Sequence, residues 1–171
     1  MKSAIRRVVR RLSITALTVA FVAGFALPVV AGEYPALDGV KGLDSVFDVS
    51  LGNPAVASAV LPAIMDVYKN KDVRALHAAP RTVMVFHGPA VKLISSDRKG
   101  VEKKEAEALD KVAEMIRQMK KDGVRMEVCM YAVKVMGVDP ATLMPEIDRV
   151  GNGFISVLGY QAQGYALVTV P

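Results

Sequence analysis

The sequence predicts a single-domain α/β fold in which helices cover both faces of a mainly parallel sheet. Strand-like apolar segments alternate along the chain with segments whose apolar residues recur every three or four positions. Residues 81–87 are rich in β-formers with little polar alternation, which is typical of a strand buried on both faces. The length of 171 residues suits one domain and is hardly enough for two.

Charge and cysteine content exclude several classes of protein. The formal net charge is +5, from 22 Lys and Arg against 17 Asp and Glu. Five of the positive side chains lie in the first 31 residues, which contain no acid. The remainder is neutral, so no overall field attracts nucleic acid, and no nucleic-acid partner is expected. The single cysteine excludes an internal disulfide framework and an all-cysteine metal cluster.

Residues 1–31 have the pattern of a secretory signal peptide. A cationic start precedes an uncharged apolar run over residues 12–27, then Pro28 and a Val-Val-Ala end that suits cleavage. An uncleaved anchor is the alternative, because about 20 apolar residues span a bilayer. We expect cleavage, no stable membrane anchor, and a periplasmic or secreted protein. The paired arginines also suggest the twin-arginine route, which ranks below the general secretory route.

The next residues divide into a linker and the start of the domain. Residues 32–44 contain Pro and Gly without a period and are interpreted as a linker, so the domain spans residues 45–171. Residues 45–51 are the predicted first strand, because alternate positions are apolar. These positions are Phe47, Val49 and Leu51.

Asn53 followed by Pro54 predicts the N-cap and first residue of a helix. Pro62 lies inside this helix and is expected to kink or split it. The second predicted helix has the clearest pattern, with one apolar stripe and a charged opposite side, and Gly123 is its candidate C-cap. The stripe consists of Leu109, Val112, Ala113, Ile116 and Met119.

The C-terminal part continues the alternation. A third strand is predicted over residues 124–130 and a short helix over 131–136. A short strand over 146–150, a helix over 154–163 and a final strand over 165–170 complete the domain. Connections between parallel strands are right-handed, and ligands gather at the carboxyl ends of the strands.

Cys129 is the first candidate for chemistry. It lies where a predicted strand runs into a predicted helix start. Unpaired N–H groups and the positive end of the helix dipole stabilise a thiolate there, which makes the thiol nucleophilic. The alternative is a buried, apolar structural cysteine.

His87 closes the predicted second strand. In a parallel sheet this end lies on the same edge as Cys129, so His87 is a candidate base or thiolate partner. The alternative is a histidine hydrogen-bonded within a loop. Nearby methionines also allow a copper(I) site with Cys129, although Met is a common core residue. No other metal, nucleotide or hydrolase motif occurs, and no cofactor is expected.

Three segments resemble the DsrE/DsrF-like (DsrEFH) family, and in particular its exported branch. Residues 123–129 read Gly-Val-Arg-Met-Glu-Val-Cys, like the family strand that ends in cysteine and precedes a short helix. Residues 85–90 are similar to the family's second strand and following turn, and residues 160–166 to its Gln-x-x-Gly-Tyr ending.

The resemblance implies a roughly five-stranded, mainly parallel sheet and a homo-oligomer, often a trimer or hexamer. It also implies a persulfide carried on a cysteine that matches Cys129, as in the cytoplasmic sulfur-relay members. A sulfur donor and an acceptor protein are then the expected partners. Export sets this chain apart from those members.

Two functions remain open from the sequence. The first is a sulfur carrier, or thiol-exchange protein, that uses Cys129 and is no turnover enzyme. The second is a non-catalytic oligomeric module that binds a small ligand, with Cys129 as core packing. Apolar residues outside the predicted stripes would then form subunit contacts. Examples are Phe154, Ile155, Val157 and Leu158.

Overall fold

A computed structural model describes residues 33–76 and 80–171. Within this part, the strands are β1 (Ser45–Val49), β2 (Thr82–Phe86), β3 (Arg125–Cys129), β4 (Asp148–Val150) and β5 (Ala166–Val170). They form one sheet in the order β4-β3-β2-β1-β5, and every neighbouring pair is parallel. The predicted five-stranded α/β fold is therefore confirmed. The predicted signal peptide, residues 1–31, lies outside the described residues.

Helices cover both faces of the sheet, as predicted. On one face, two long helices bury the side chains of Phe47 and Met84. On the opposite face, a single helix contributes Val157, which packs with Val46 and Val85. The helices are α1 (Pro54–Lys69), α2 (Lys71–Arg74), α3 (Lys103–Lys121), α4 (Met130–Val135) and α5 (Gly153–Ala162). Of these, α1 and α3 are the two long helices on the first face, and α5 is the single helix on the opposite face.

The central strand β2 has all five residues buried. Both of its faces are covered, which explains why its sequence lacks polar alternation. A polar group within such a strand is cut off from water, whereas the ends of the strands border loops. Chemistry in this fold therefore belongs at the edge of the sheet where the strands end.

Helix α1 begins as predicted and continues through its internal proline. The side chain of Asn53 accepts a hydrogen bond from the N–H of Val56, at 3.1 Å. Of the two effects expected of Pro62, a kink or a split, the split is wrong, since α1 runs unbroken to Lys69. Pro62 removes one backbone donor, but Leu61 and Ile64 beside it are buried in the core and stabilise the helix around it.

Helix α3 buries the predicted apolar stripe completely. Gly123 follows its C-terminus with a φ of +90°, a conformation that glycine adopts without strain. At this end, the carboxylate of Asp122 forms a salt bridge with Lys69 and accepts hydrogen bonds from the hydroxyl of Tyr68 and the amide of Gln118. These donors, Lys69 first, lower the pKa of Asp122 to about 2.

The segment before β1 is held to the domain by polar contacts. The backbone N–H of Glu33 donates to the carboxylate of Asp72 at 3.1 Å. Asp44 accepts hydrogen bonds from both the backbone and the guanidinium of Arg81. No helix in the described ranges has the length and apolar character needed to cross a membrane.

Gly52 approaches Pro89 too closely for a side chain. A Cβ at Gly52 would lie 2.5 Å from Cβ of Pro89. We expect Gly52→Ala to lower the free energy of unfolding by about 1–3 kcal/mol, because the two loops must separate. Gly159→Ala is the control, since its Cβ would meet nothing within 4 Å. Urea unfolding measures both variants, and equal stability of the two would contradict the account.

Candidate functional site

Cys129 ends β3 and precedes α4, at the carboxyl edge of the sheet. Its Sγ accepts a hydrogen bond from the backbone N–H of Ala132 at 3.4 Å, so the thiol caps the N-terminus of α4. A donor in this position stabilises negative charge on sulfur. The structure thus places Cys129 where the sequence predicts it, between a strand and a helix.

Helix α5 closes over Cys129, which is only 4% exposed. A Cβ built on Gly153 would lie 3.0 Å from Cβ of Cys129 and 3.7 Å from its Sγ. The N–H of Tyr131 donates to the carbonyl of Gly151 at 3.1 Å, which ties the start of α4 to the start of α5. A side chain at the first residue of α5 would therefore fit only if Cys129 or Val85 shifted by a few tenths of an ångström.

His87 lies at the same edge, directly after β2. The register pairs Phe86 with Val128, so His87 and Cys129 are the next positions on two neighbouring strands. Both side chains face α5, since the ring of His87 meets that of Phe154 edge-on, with centroids 5.2 Å apart. The structure brings the two predicted residues to one edge and one face of the sheet.

The polar neighbour of His87 is Asp48, in β1. Nε2 of His87 lies 2.6 Å from Oδ1 of Asp48. Both atoms are shielded from solvent, and neither makes a well-aligned hydrogen bond to any described residue. The two atoms are near enough for a hydrogen bond if the ring and the carboxylate align. An acid–base pair therefore lies beside the thiol.

Glu127 lies on the same face of β3 as Cys129, two residues earlier, and is 3% exposed. Its Oε1 accepts a hydrogen bond from the hydroxyl of Tyr160 at 2.6 Å and lies 3.1 Å from Nε of Arg125. Its Oε2 is buried without a partner in the described part of the chain. Burial, and then the bond to Glu127, raise the pKa of Tyr160 far above its ordinary value.

Sequence reasoning missed Asp48, Glu127 and Tyr160. Phe47 and Val49 flank Asp48 and face the predicted core, so the alternation places Asp48 on the opposite face of the strand. The missed signal was the combination of that pattern with a sheet covered on both faces. In such a sheet, an acid in mid-strand lies under a helix and needs a partner.

Comparison with known proteins adds family membership. The sequence profile of the DsrE/DsrF-like family matches residues 61–170. The chain belongs to the DsrE/DsrF-like family. The match includes β2, β3, α5 and β5, and with them His87 and Cys129. No curated protein matches the chain.

Two solved structures are similar to this DsrE/DsrF-like chain. One is a protein of unknown function from Methanobacterium thermoautotrophicum, with 16% identity and a TM-score of 0.57 over 74% of this chain and 98% of that one. The other is the ychN protein from E. coli, with 12% identity and a TM-score of 0.44 over 74% and 99%. The first likeness shows a shared fold.

Over residues 33–76 and 80–171, no three His, Cys, Asp or Glu side chains are grouped so that they could hold an ion. The groups at this edge that can take part in acid–base or thiol chemistry include Cys129, His87 and Asp48.

Tyr160→Phe tests the buried contact beneath the site. Removal of the hydroxyl leaves the buried carboxylate of Glu127 with the partly exposed Arg125 as its remaining partner, and we expect a loss of about 1–3 kcal/mol in the free energy of unfolding. Tyr68→Phe is the matched control, because Asp122 keeps Lys69 and Gln118 and should lose less. Denaturant unfolding compares the two, and a larger loss in the control would contradict this ranking.

Proposed function

We propose that the protein carries sulfur as a persulfide on Cys129. The observation that supports this function best is the contact between Sγ and the backbone N–H of Ala132, which favours the thiolate. Membership of the DsrE/DsrF-like family supports the same chemistry. The protein acts as a carrier or thiol-exchange protein rather than as a turnover enzyme.

The loading step is an attack by the Cys129 thiolate on the outer sulfur of a sulfane donor. With thiosulfate, a new S–S bond forms to Cys129, the donor's S–S bond breaks, and sulfite leaves with the bonding electron pair. The product is a Cys129 persulfide anion, and charge and atoms balance without an added oxidant. An acceptor thiolate then takes the terminal sulfur by exchange.

His87 is the proposed acceptor of the thiol proton. It occupies the register position beside Cys129 on the same face of the sheet. An imidazolium next to the sulfur would stabilise the thiolate through charge. Cys129 and His87 are thus the two proposed catalytic residues.

Partners and location follow from the same proposal. The burial of Cys129 restricts direct loading to small donors, and a donor or acceptor protein would have to displace the start of α5. Residues 1–31 act as the export signal in this proposal, so the carrier works in the periplasm or outside the cell.

Sulfur uptake is tested by the intact mass of the purified protein after exposure to thiosulfate or polysulfide. We expect the gain of one sulfur atom, which a reductant removes. Cys129→Ser should gain none, and because Cys129 is the only cysteine, no other thiol can substitute. Equal sulfur uptake by wild type and Cys129→Ser would rule out this carrier function.

The second candidate function is a non-catalytic oligomeric module that binds a small ligand. Two observations favour it: Cys129 is buried in the main core, and the outer face of α5 exposes Phe154, Ile155 and Leu158 by 60–68%. Val157, expected at a subunit contact, is instead buried against the sheet, because it faces the opposite side of α5. A cavity of about 360 Å³ near the strand ends would hold the ligand.

The exposed face of α5 is the proposed contact of a homo-oligomer, a trimer or hexamer. We expect Ile155→Glu to convert the oligomer to monomers, because a charge cannot be buried unpaired at an apolar contact. Lys111→Gln changes the net charge equally at an exposed position of α3 and should leave the oligomer intact. Sedimentation velocity measures the mass, and an unchanged oligomer in Ile155→Glu would place the interface elsewhere.

A further inference from the structure

We infer that Asp48 is the positioning residue of the site: it orients His87 and stabilises its imidazolium, so that His87 takes the proton of Cys129. The inference rests on the proposed sulfur-carrier function and adds a residue that the sequence did not suggest. The structure brings together an acid, an imidazole and a thiol from three neighbouring strands. Asp48 lies in β1, His87 follows β2, and Cys129 ends β3.

The strand register brings these three side chains together. Asp48 pairs with Val85 and Phe86 pairs with Val128, so His87 and Cys129 are the next register positions along neighbouring strands. Parallel strands lie about 4.8 Å apart, which sets the spacing of the side-chain bases. All three side chains point toward α5, because alternate residues of a strand share a face.

The start of α5 separates the pair from solvent. Phe154 packs edge-on against the ring of His87, while the preceding residue, Gly153, lies against Cys129. Nε2 of His87 is fully shielded although the side chain is 14% exposed, so the exposed part of the ring consists of other atoms. Asp48 thus faces the buried nitrogen and leaves Nδ1 as the nitrogen that takes up a proton.

The shielded carboxylate oxygen of Asp48 would be stabilised by a positively charged His87 ring. An unpartnered carboxylate oxygen shielded from water is costly, and its nearest polar atom is Nε2 at 2.6 Å. A turn of the ring that aligned the Nε2–H with Oδ1 would form a hydrogen bond, and a positive ring would strengthen it. The thiol S–H bond breaks, its electron pair stays on Sγ, and its proton goes to Nδ1. Asp48 remains ionised throughout.

Few other charges face this pair. Residues 151–171, which include α5 and β5, contain no charged side chain. The titratable groups on this side of the sheet include Asp48 from β1, Arg125, Glu127 and Cys129 from β3, Asp148 from β4, and Tyr160 and Tyr165 from α5 and the residue preceding β5. Arg81, paired with Asp44, stacks on Tyr165 at the opposite end of the strands. Arg125 lies next to Glu127 and Asp148 and offsets part of their charge. Asp48 is therefore the acid in contact with His87.

The test is the rate of alkylation of Cys129 by iodoacetamide as a function of pH, in wild type, Asp48→Asn and His87→Gln. The rate follows the thiolate fraction. We expect Asp48→Asn to move the inflection about one pH unit upward and to slow the reaction near neutral pH about 10-fold. In the His87→Gln background, Asp48→Asn should change the rate less than about 2-fold, because Asp48 acts through His87.

Asp148→Asn is the matched control on the same face and should leave the profile unchanged. A profile of Asp48→Asn that coincides with wild type overturns the inference, as does a thiol that reacts only after unfolding. An equal effect of Asp48→Asn with and without His87 also overturns it, since Asp48 then acts independently. The carrier function is tested separately, by sulfur uptake. A shifted alkylation profile without sulfur uptake would support the Asp48–His87 relation and rule out the carrier function.

Discussion

The close packing of α5 across the carboxyl edge of the sheet is the contact on which the site depends. Gly153 lets the helix start directly above Cys129 and Val85, at distances that leave little room for a Cβ. The same helix brings Phe154 to His87 and Tyr160 to Glu127. One helix therefore shields an otherwise polar strip of sheet from water, and every interaction at the edge becomes stronger as a result.

In the proposed carrier, this arrangement would let a buried thiol react. Cys129 has low exposure, which protects it from bulky reagents and from unwanted pairing with other thiols. Its Sγ nevertheless has a backbone donor on one side and an imidazole at the next register position on the other. Small donors, or partners that displace α5, would then reach Cys129. The outer surface of α5 is apolar. Assembly through that surface would link access to the state of the oligomer.

The order of elements and the placement of Cys129 and His87 could be predicted from the sequence, because both depend on local patterns. Alternation, capping residues and glycine positions identify strands and helices, and parallel strands bring their ends to one edge. The positions of Asp48 and Glu127 under a helix could not be predicted in this way, because the helix that covers them, α5, lies later in the chain. For Asp48 it is more than a hundred residues away. The persistence of α1 through Pro62 has a similar cause: packing of Leu61 and Ile64 outweighs the local preference.

In the proposed carrier, folding activates the Cys129 thiol rather than merely burying it. The most direct test compares the rate of reaction of Cys129 with iodoacetamide at neutral pH in the folded protein and in urea. We expect the folded thiol to react at least as fast as the unfolded one, because in the folded protein the backbone N–H of Ala132 contacts its sulfur. A thiol that reacts only once the protein is unfolded would contradict it and leave Cys129 as core packing.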